Sequence, residues 1–260
     1  MVIQLEDSAK EIRQIILNMI FEAKASHIGS CYSVVDILNA LYGKILRVDP
    51  LHPNNPERDY LIMSKGHAAA ALYATLSYYK FFPTEKLKTY CQNGSKLAGH
   101  VTALTPGVEF STGSLGHGLP IACGIALATK QNVYVIQSDG ECNEGSIWEA
   151  ALFAAHHKLH NLTLIIDYNK IQSFGYVNDV LALESLSHKW TAFNWEVIEI
   201  NGHDYNELHT ALIKTTQKPK VVIAHTIKGK GVSFMENKLD WHYKYPTAEQ
   251  YEIALNELKL

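Results

Sequence analysis

Two apolar runs, at 133–137 and 162–166, constrain the fold of this chain more than any other feature. Each run stops at a polar turn, the first containing Asp139 and the second Asn169, and helix-forming residues lie between them. This order predicts a strand, a helix and a second strand, joined as a βαβ unit. The strands of such a unit are parallel neighbours, so the turns that follow them emerge at the same edge of the sheet. We therefore expect Asp139 and Asn169 to lie together at an edge where open α/β sheets bind ligands.

These two turns offer the ligands of a metal–diphosphate site. Mg²⁺ binds one or two oxygen-bearing protein groups together with phosphate oxygens. The helix that begins near Glu144 points backbone N–H groups and a positive dipole end at the same place, which suits a diphosphate. Taken singly, an Asp that caps a helix and an Asn that forms a turn are the commoner uses of these residues. The joint pattern favours the metal–diphosphate site.

The rest of the chain alternates between helical and strand patterns, which predicts an α/β fold with a mostly parallel sheet and helices on both faces. Further helices are predicted at 8–25, 33–45, 65–82, 119–130, 206–216 and 247–258. Further strands are predicted at 60–64, 195–200 and 220–226. Two pairs, Ser33 with Asp36 and Thr247 with Gln250, have the spacing of an N-terminal capping box.

Composition describes an ordinary globular protein and excludes several classes. The 260 residues are 47% hydrophobic and 19% charged, with a formal net charge of −3, which gives no reason to expect nucleic acid. Neither a signal peptide nor an apolar run long enough to span a membrane is expected. The four cysteines include no CxxC pair, so a reducing cytoplasm is the expected location. The length suits one domain that covers residues 1–260.

Histidines recur in short motifs at the expected turns. These motifs are SHIGS at 26–30, SKGHA at 64–68, GH at 99–100, STGSLGHG at 111–118 and WH at 241–242. A histidine in a loop is commonly solvated or capping, and glycines let a backbone approach a ring or a phosphate closely. Each motif alone is weak evidence for a site, and only their combination with the acidic turn is specific.

A family resemblance joins these motifs. SDGECNEGS at 138–146 and DYNKI at 167–171 resemble the thiamine diphosphate-binding motif of transketolases, in which Gly-Asp-Gly is followed one βαβ unit later by Asn. The histidine motifs resemble transketolase loops in the family's order, over roughly residues 8 to 260. The departures are Ser138 for the first Gly, Ile28 for Pro, Ser114 for Pro and His117 for Gln. Side-chain roles at the last two positions do not carry over.

The resemblance implies a role for each matching residue. Mg²⁺, or Ca²⁺ or Mn²⁺ in its place, would be held by Asp139, Asn169 and the backbone carbonyl of Ile171. Contacts with thiamine diphosphate are implied for His67, Gly113, Ser114, Leu115, Asp139, Gly140, Glu141, Asn169 and His242. Catalytic roles are implied for His27, His100 and His242 near the substrate. A catalytic role is also implied for Glu144, which is expected to lie at a subunit contact and to relay between active sites.

The implied activity is that of a transferase, which moves a two-carbon ketol unit from a ketose to an aldose. Transketolases continue with a pyrimidine-binding domain, which carries the Glu that activates the cofactor, and with a C-terminal domain. The resemblance therefore implies the N-terminal subunit of a split transketolase, whose partner is the C-terminal subunit in an α₂β₂ assembly. Sugars or sugar phosphates are the expected substrates, and neither nucleic acid nor a membrane is expected as a partner.

Two alternatives remain open at this point. A related thiamine diphosphate enzyme, either deoxyxylulose phosphate synthase-like or keto acid decarboxylating, would share the metal motif but should lack the combined SHIGS, SKGHA and WH segments. A non-catalytic domain that only binds or regulates a partner would tolerate loss of the histidines, all of which are present.

Overall fold

Helices and strands alternate along the chain in the computed structural model, which describes residues 2–259. The elements of the first half are α1 (Val2–Ala23), α2 (Ile28–Ala40), β1 (Tyr60–Met63), α3 (Ala69–Tyr78), α4 (Gly118–Ala128) and β2 (Val133–Ser138). Those of the second half are α5 (Gly145–His156), β3 (Leu162–Tyr168), α6 (Val177–Val180), α7 (Leu186–Ala192), β4 (Glu196–Asn201), α8 (Tyr205–Ile213), β5 (Lys220–His225) and α9 (Ala248–Glu257). Short 3₁₀ helices lie at Gly66–Ala68, Thr84–Thr89, Asp139–Asn143 and Leu239–His242, and a π-helical turn lies at Leu41–Ile45.

All neighbouring strands of the sheet pair in parallel, in the order β1-β2-β3-β5-β4. Ser138 pairs with Asp167 and Tyr168 pairs with His225, so the turns after β2, β3 and β5 leave the sheet at one edge. The predicted βαβ unit is β2–α5–β3. The predicted fold class, a mostly parallel α/β sheet, is confirmed.

Apolar side chains are buried on both faces of this sheet, which is why its central strands read as almost continuous apolar runs. Leu164 and Ile166 of β3 belong to a core that contains residues of α4 and α5. Ile165 between them belongs to a core that contains residues of α1, α2 and α3. Because successive side chains of a strand point to opposite faces, helices cover both faces of the sheet.

The start of α2 differs from the prediction. The helix begins at Ile28, and Ser33 and Asp36 lie inside it instead of capping it. Both side chains are used by tertiary contacts, since the Ser33 hydroxyl donates to Asp167 and the Asp36 carboxylate pairs with Arg13. Capping-box spacing in the sequence does not distinguish a cap from two buried polar groups on one helix face.

The capping box of the last helix is confirmed. Thr247 Oγ1 accepts the backbone N–H of Gln250 at 3.3 Å, and the Gln250 side chain accepts that of Thr247 at 3.0 Å.

No helix in residues 2–259 is both long enough and apolar enough to cross a membrane.

We expect Ile165→Ala to lower the free energy of unfolding by about 2–5 kcal/mol, because truncation of a fully buried side chain leaves a cavity. Ile213→Ala is the matched control, since Ile213 is 55% exposed. Urea denaturation measures both. Equal losses in the two variants would contradict the placement of β3 in the centre of the core.

Candidate active site

A cleft of about 500 Å³ opens at the edge of the sheet where the strands end. Its lining includes most of the residues that the sequence singles out: His27, His67, His100, Gly113, Leu115, Asp139, Gly140, Glu144, Asn169, Ile171 and His242. A groove of about 660 Å³ between α1 and the segment 84–92 is larger, but none of these residues lines it. The motifs therefore indicate the cleft, and size alone would not.

The two polar turns meet at one end of this cleft. Asp139 Oδ1 accepts the N–H of Gly140 at 2.7 Å, and its Oδ2 accepts the N–H of Lys170 at 2.6 Å. The turn after β2 is thereby bonded to the turn after β3. Asn169 Oδ1 accepts the N–H of Ile171 at 3.1 Å. Asp139 and Asn169 thus lie together, as the βαβ argument predicts, and Ile171, which the family resemblance adds, lies in the same turn as Asn169.

The charge balance at this end of the cleft fits a divalent cation. Asp139 is 2% exposed, and its burial, followed by the nearby Asp167 carboxylate, raises its pKa to about 6. A cation beside it would favour the ionised form. The carboxylate of Asp139 and the carbonyl oxygens of Asn169 and Ile171 are the hard oxygen ligands that Mg²⁺ takes.

Four histidines meet beside the acidic end. The ring centroid of His27 lies 5.3 Å from that of His67, 5.8 Å from that of His100 and 5.1 Å from that of His242. Burial, then the neighbouring His100 and the lysines, lowers the pKa of His27 to about 4, and burial and Lys228 lower that of His242 to about 3. These two rings are therefore neutral at pH 7. The ammonium group of Lys228, which also lines this cleft, would attract an anion, which fits a diphosphate.

Local backbone geometry places His27 at the centre of this cluster. Its φ of 75° lies in the left-handed region, where the residue ends the connection from α1 and precedes the first residue of α2. The His27 N–H donates to the carbonyl of His242 at 2.8 Å. His67, in the same cluster, is held by another contact, since Ser30 Oγ lies 2.8 Å from His67 Nε2.

Two of the predicted cofactor residues lie outside the lining of the cleft. Ser114 is exposed and does not line the cleft. Glu141 is fully buried behind it, where its carboxylate accepts the N–H of Ser138 at 2.8 Å, the N–H of Gly116 at 3.1 Å and the hydroxyl of Ser64. Glu141 therefore joins the ends of β1 and β2 to the glycine-rich loop at 111–118 and does not face the cleft.

Sequence reasoning missed the buried charges that support the cleft. Lys228 is 1% exposed, and its Nζ donates to the carbonyl of Ile171 at 2.9 Å and lies 2.9 Å from His242 Nδ1. Lys65 and Asp167 form an ion pair whose side chains are both 0% exposed. A lysine inside SKGHA and an Asp at the end of an apolar strand are the signals that could have predicted this pair.

Residues 5–255 match the family of transketolase thiamine diphosphate-binding domains. The chain belongs to the transketolase family. The resemblance to transketolases that the motifs indicate is confirmed. The predictions of thiamine diphosphate as the cofactor and of a transferase are also confirmed.

Relatives of this transketolase-family chain include proteins of similar length. An apulose-4-phosphate transketolase subunit from Phocaeicola vulgatus is 44% identical over 262 residues, which cover 98% of this chain and 93% of that protein. The 6-deoxy-6-sulfo-D-fructose transketolase subunit of a Clostridium species is 41% identical, with 99% of this chain and 97% of that protein covered.

A solved structure shows the same fold within a longer transketolase. The Campylobacter jejuni enzyme superposes with a TM-score of 0.92 at 33% identity. The match covers 98% of this chain and 42% of that one. This transketolase-family chain therefore spans less than half the length of that enzyme.

The pKa of Asp139 makes stability depend on pH. An unfolded Asp ionises near pH 4, whereas the folded Asp139 ionises near pH 6, so the unfolded state binds fewer protons between these values. Its contribution to the free energy of unfolding therefore falls as the pH rises through this window. We expect Asp139→Ala to remove that fall and to gain on the order of 2 kcal/mol relative to the wild type from about pH 4 to about pH 7.

Urea denaturation with a chelator present, at steps across this pH range, measures the effect. Asp179→Ala, which removes an exposed carboxyl group on α6, should leave the pH profile unchanged. Parallel profiles for Asp139→Ala and the wild type would show that the folded Asp139 ionises like an unfolded one.

Proposed function

We propose that this chain is the thiamine diphosphate-binding subunit of a two-component transketolase, which transfers a two-carbon ketol unit from a ketose to an aldose. The convergence of an acidic, metal-type end and a histidine cluster in one cleft carries this proposal. The subunit relatives, which match over nearly their whole length, support it. We also propose that residues 1–260 form one domain and that the protein works in the cytoplasm.

The acidic end is proposed to hold the metal. Asp139 supplies a carboxylate, Asn169 a side-chain carbonyl and Ile171 a backbone carbonyl, and Mg²⁺ is the cation that this oxygen set suits, with Ca²⁺ or Mn²⁺ as substitutes. His67, which lines the same cleft, is proposed to contact the diphosphate. Gly113 and Gly140 also line this space, where the absence of a side chain leaves room for the cofactor, and Leu115 is proposed to contact it.

The remaining histidines are proposed to act on the substrate. Thiamine diphosphate, when bound, stabilises a carbanion and so supplies the chemistry of carbon–carbon bond cleavage. His27, His100 and His242 supply proton transfer at hydroxyl and carbonyl oxygens of the sugar. A neutral imidazole accepts a proton from one oxygen and returns it to another, and the depressed pKa values of His27 and His242 keep these two rings neutral.

A partner protein is proposed from two observations. The relatives are named as subunits of transketolases. Large apolar side chains line the mouth of the cleft and are exposed, with Phe174 at 83%, Leu181 at 58% and Tyr243 at 56%. Exposed apolar patches of this kind mark partner surfaces. We propose that a C-terminal subunit with a pyrimidine-binding domain and an activating Glu covers this mouth, in an α₂β₂ assembly.

Glu144 is proposed to lie at the contact with the C-terminal subunit. It is exposed, lines the cleft and immediately precedes α5.

The substrate is proposed to be a ketose that carries an anionic group. The two relatives are named for such sugars, one a phosphate and the other a sulfo sugar.

We expect the histidines to separate by role. His67→Ala should weaken binding of Mg²⁺–thiamine diphosphate, whereas His27→Ala should lower kcat at saturating cofactor by about 10²–10⁴, the range for a lost acid–base group. Calorimetry and steady-state kinetics on the assembled enzyme measure the two effects. His157→Ala is the control, because His157 is an exposed histidine that follows α5. A wild-type kcat for His27→Ala would contradict its assignment.

The chain alone should be nearly inactive, and this expectation tests the proposed function. A ketose donor and an aldose acceptor are supplied with Mg²⁺ and thiamine diphosphate, and release of the donor's aldose is measured. We expect turnover only once the C-terminal subunit is added, which by domain-size norms is a chain of about 300 residues. Asp139→Ala, which lacks the metal carboxylate, should stay inactive in the same mixture.

Two outcomes would contradict the proposal. Full turnover by the lone chain would place the activating carboxylate within these residues. A complex that forms but releases no aldose from any ketose tested would favour a non-catalytic, partner-binding role.

A further inference from the structure

Behind the cleft, a series of polar contacts connects α1 to the loop that carries Lys228. Arg13 on α1 contacts Asp36 on α2, with 2.6 Å between Nη2 of Arg13 and Oδ2 of Asp36. Asp36 Oδ2 also lies 2.6 Å from Nδ1 of His203, in the turn between β4 and α8. His203 Nε2 accepts the backbone N–H of Ile227 at 2.9 Å. The chain of contacts therefore ends one residue before Lys228.

The contacts determine the state of the imidazole. A backbone N–H only donates, so His203 Nε2 carries no proton and Nδ1 bears the proton that is donated to Asp36. Burial by itself raises the pKa of Asp36, but Arg13 and His203 overcome that effect and hold the pKa below its ordinary value. Tyr205 also donates to this carboxylate, at 3.0 Å. His203 is thus held by a permanent anion on one side and presents an acceptor on the other.

The turn that carries His203 is packed tightly against the loop. A Cβ added to Gly202 would lie 2.5 Å from the Cγ2 of Thr226, so another residue could not take its place without a shift. The N–H of Gly202 also donates to the carbonyl of His225 at 2.8 Å. The side chain of His203 is 11% exposed. The contact with Ile227 therefore belongs to a closely packed junction and not to a mobile surface.

The position of Ile227 matters because Lys228 follows it. Lys228 Nζ contacts both the carbonyl of Ile171 and His242, each at 2.9 Å. It thereby joins the acidic end of the cleft to the histidine cluster. A displacement of the backbone at 227 would move the ammonium group away from both.

We propose that His203 is a positioning residue of the cofactor site, which holds the Ile227 backbone so that Lys228 reaches Ile171 and His242. The role of the cleft rests on the proposed function, whereas the loop contact can be measured without it. His203 does not line the cleft, and it acts through Lys228.

Two substitutions separate the two sides of the imidazole. His203→Asn keeps an amide donor at the level of Nδ1 for Asp36 but is too short to reach Ile227. His203→Gln places its amide oxygen near the level of Nε2, where it can accept the Ile227 N–H. His209→Asn is the control, because His209 is an exposed histidine on α8 of the same segment.

Two measurements are made on each variant of the 260-residue chain. Hydrogen–deuterium exchange follows the Ile227 amide of the chain, and calorimetric titration of its assembly with the C-terminal subunit, using Mg²⁺ and thiamine diphosphate, follows cofactor affinity. We expect His203→Asn to exchange at least about tenfold faster and to bind the cofactor about three- to tenfold more weakly, as for one lost hydrogen bond. His203→Gln should recover most of both values, and His209→Asn should match the wild type.

Wild-type exchange at Ile227 in His203→Asn would overturn the positioning role. Equal defects in the Asn and Gln variants, with equal losses of thermal stability, would also overturn it, since that pattern indicates a merely structural residue. If His203→Asn does not fold, His203→Gln decides, with protected exchange supporting the proposal and unprotected exchange overturning it. A wild-type assembly with the C-terminal subunit that shows no cofactor titration contradicts the proposed function, and the exchange result still decides the role of His203.

Discussion

The buried carboxylate of Asp167 is the constraint on which the cleft depends. It accepts hydrogen bonds from Lys65 after β1, from Ser33 on α2 at 2.6 Å and from Thr226 after β5. Although burial opposes it, Lys65 holds the pKa of Asp167 below its ordinary value, so the group is an anion. Removal of one partner from a buried ion pair typically costs about 3–5 kcal/mol, because the other charge is left uncompensated. The ends of β1, β3 and β5 are therefore joined through one carboxylate.

Buried ionisable groups in the cleft next to Asp167 have shifted pKa values. Asp139 ionises at a raised pKa, whereas the pKa values of His27, His242 and Lys228 are lowered, the last to about 8. Burial is the largest cause in each case. A cation beside Asp139 would favour its ionised form, and a diphosphate beside Lys228 would favour its ammonium form, so each ligand would offset part of the effect of burial. Ligands that bind only the folded state also stabilise it.

Polar residues behind the cleft position the residues that line it. Glu141 fixes the loop that carries Leu115, and the pair of Asp36 and His203 fixes the loop that carries Lys228. Both are buried hydrogen-bond networks in which each member satisfies another, and such networks specify one arrangement of the backbone. A site on loops gains the rigidity of the sheet through these contacts.

The sequence by itself determined the sheet edge and most of the cleft. Apolar runs that end in Asp139 and Asn169 can form only a few parallel arrangements, and all of these bring the two turns together. The histidine motifs were identified from their resemblance to transketolase loops in the order of that family. The start of α2 was not predicted, because Ser33 and Asp36 match a cap as well as they match buried contacts. Only the tertiary structure decided which charges support the site. Arg13 with Asp36 and Lys65 with Asp167 are 23 and 102 positions apart, and no local pattern pairs residues at such separations. The chemistry of the cleft is therefore local in sequence, whereas the contacts that hold it in place arise from the packing of distant segments.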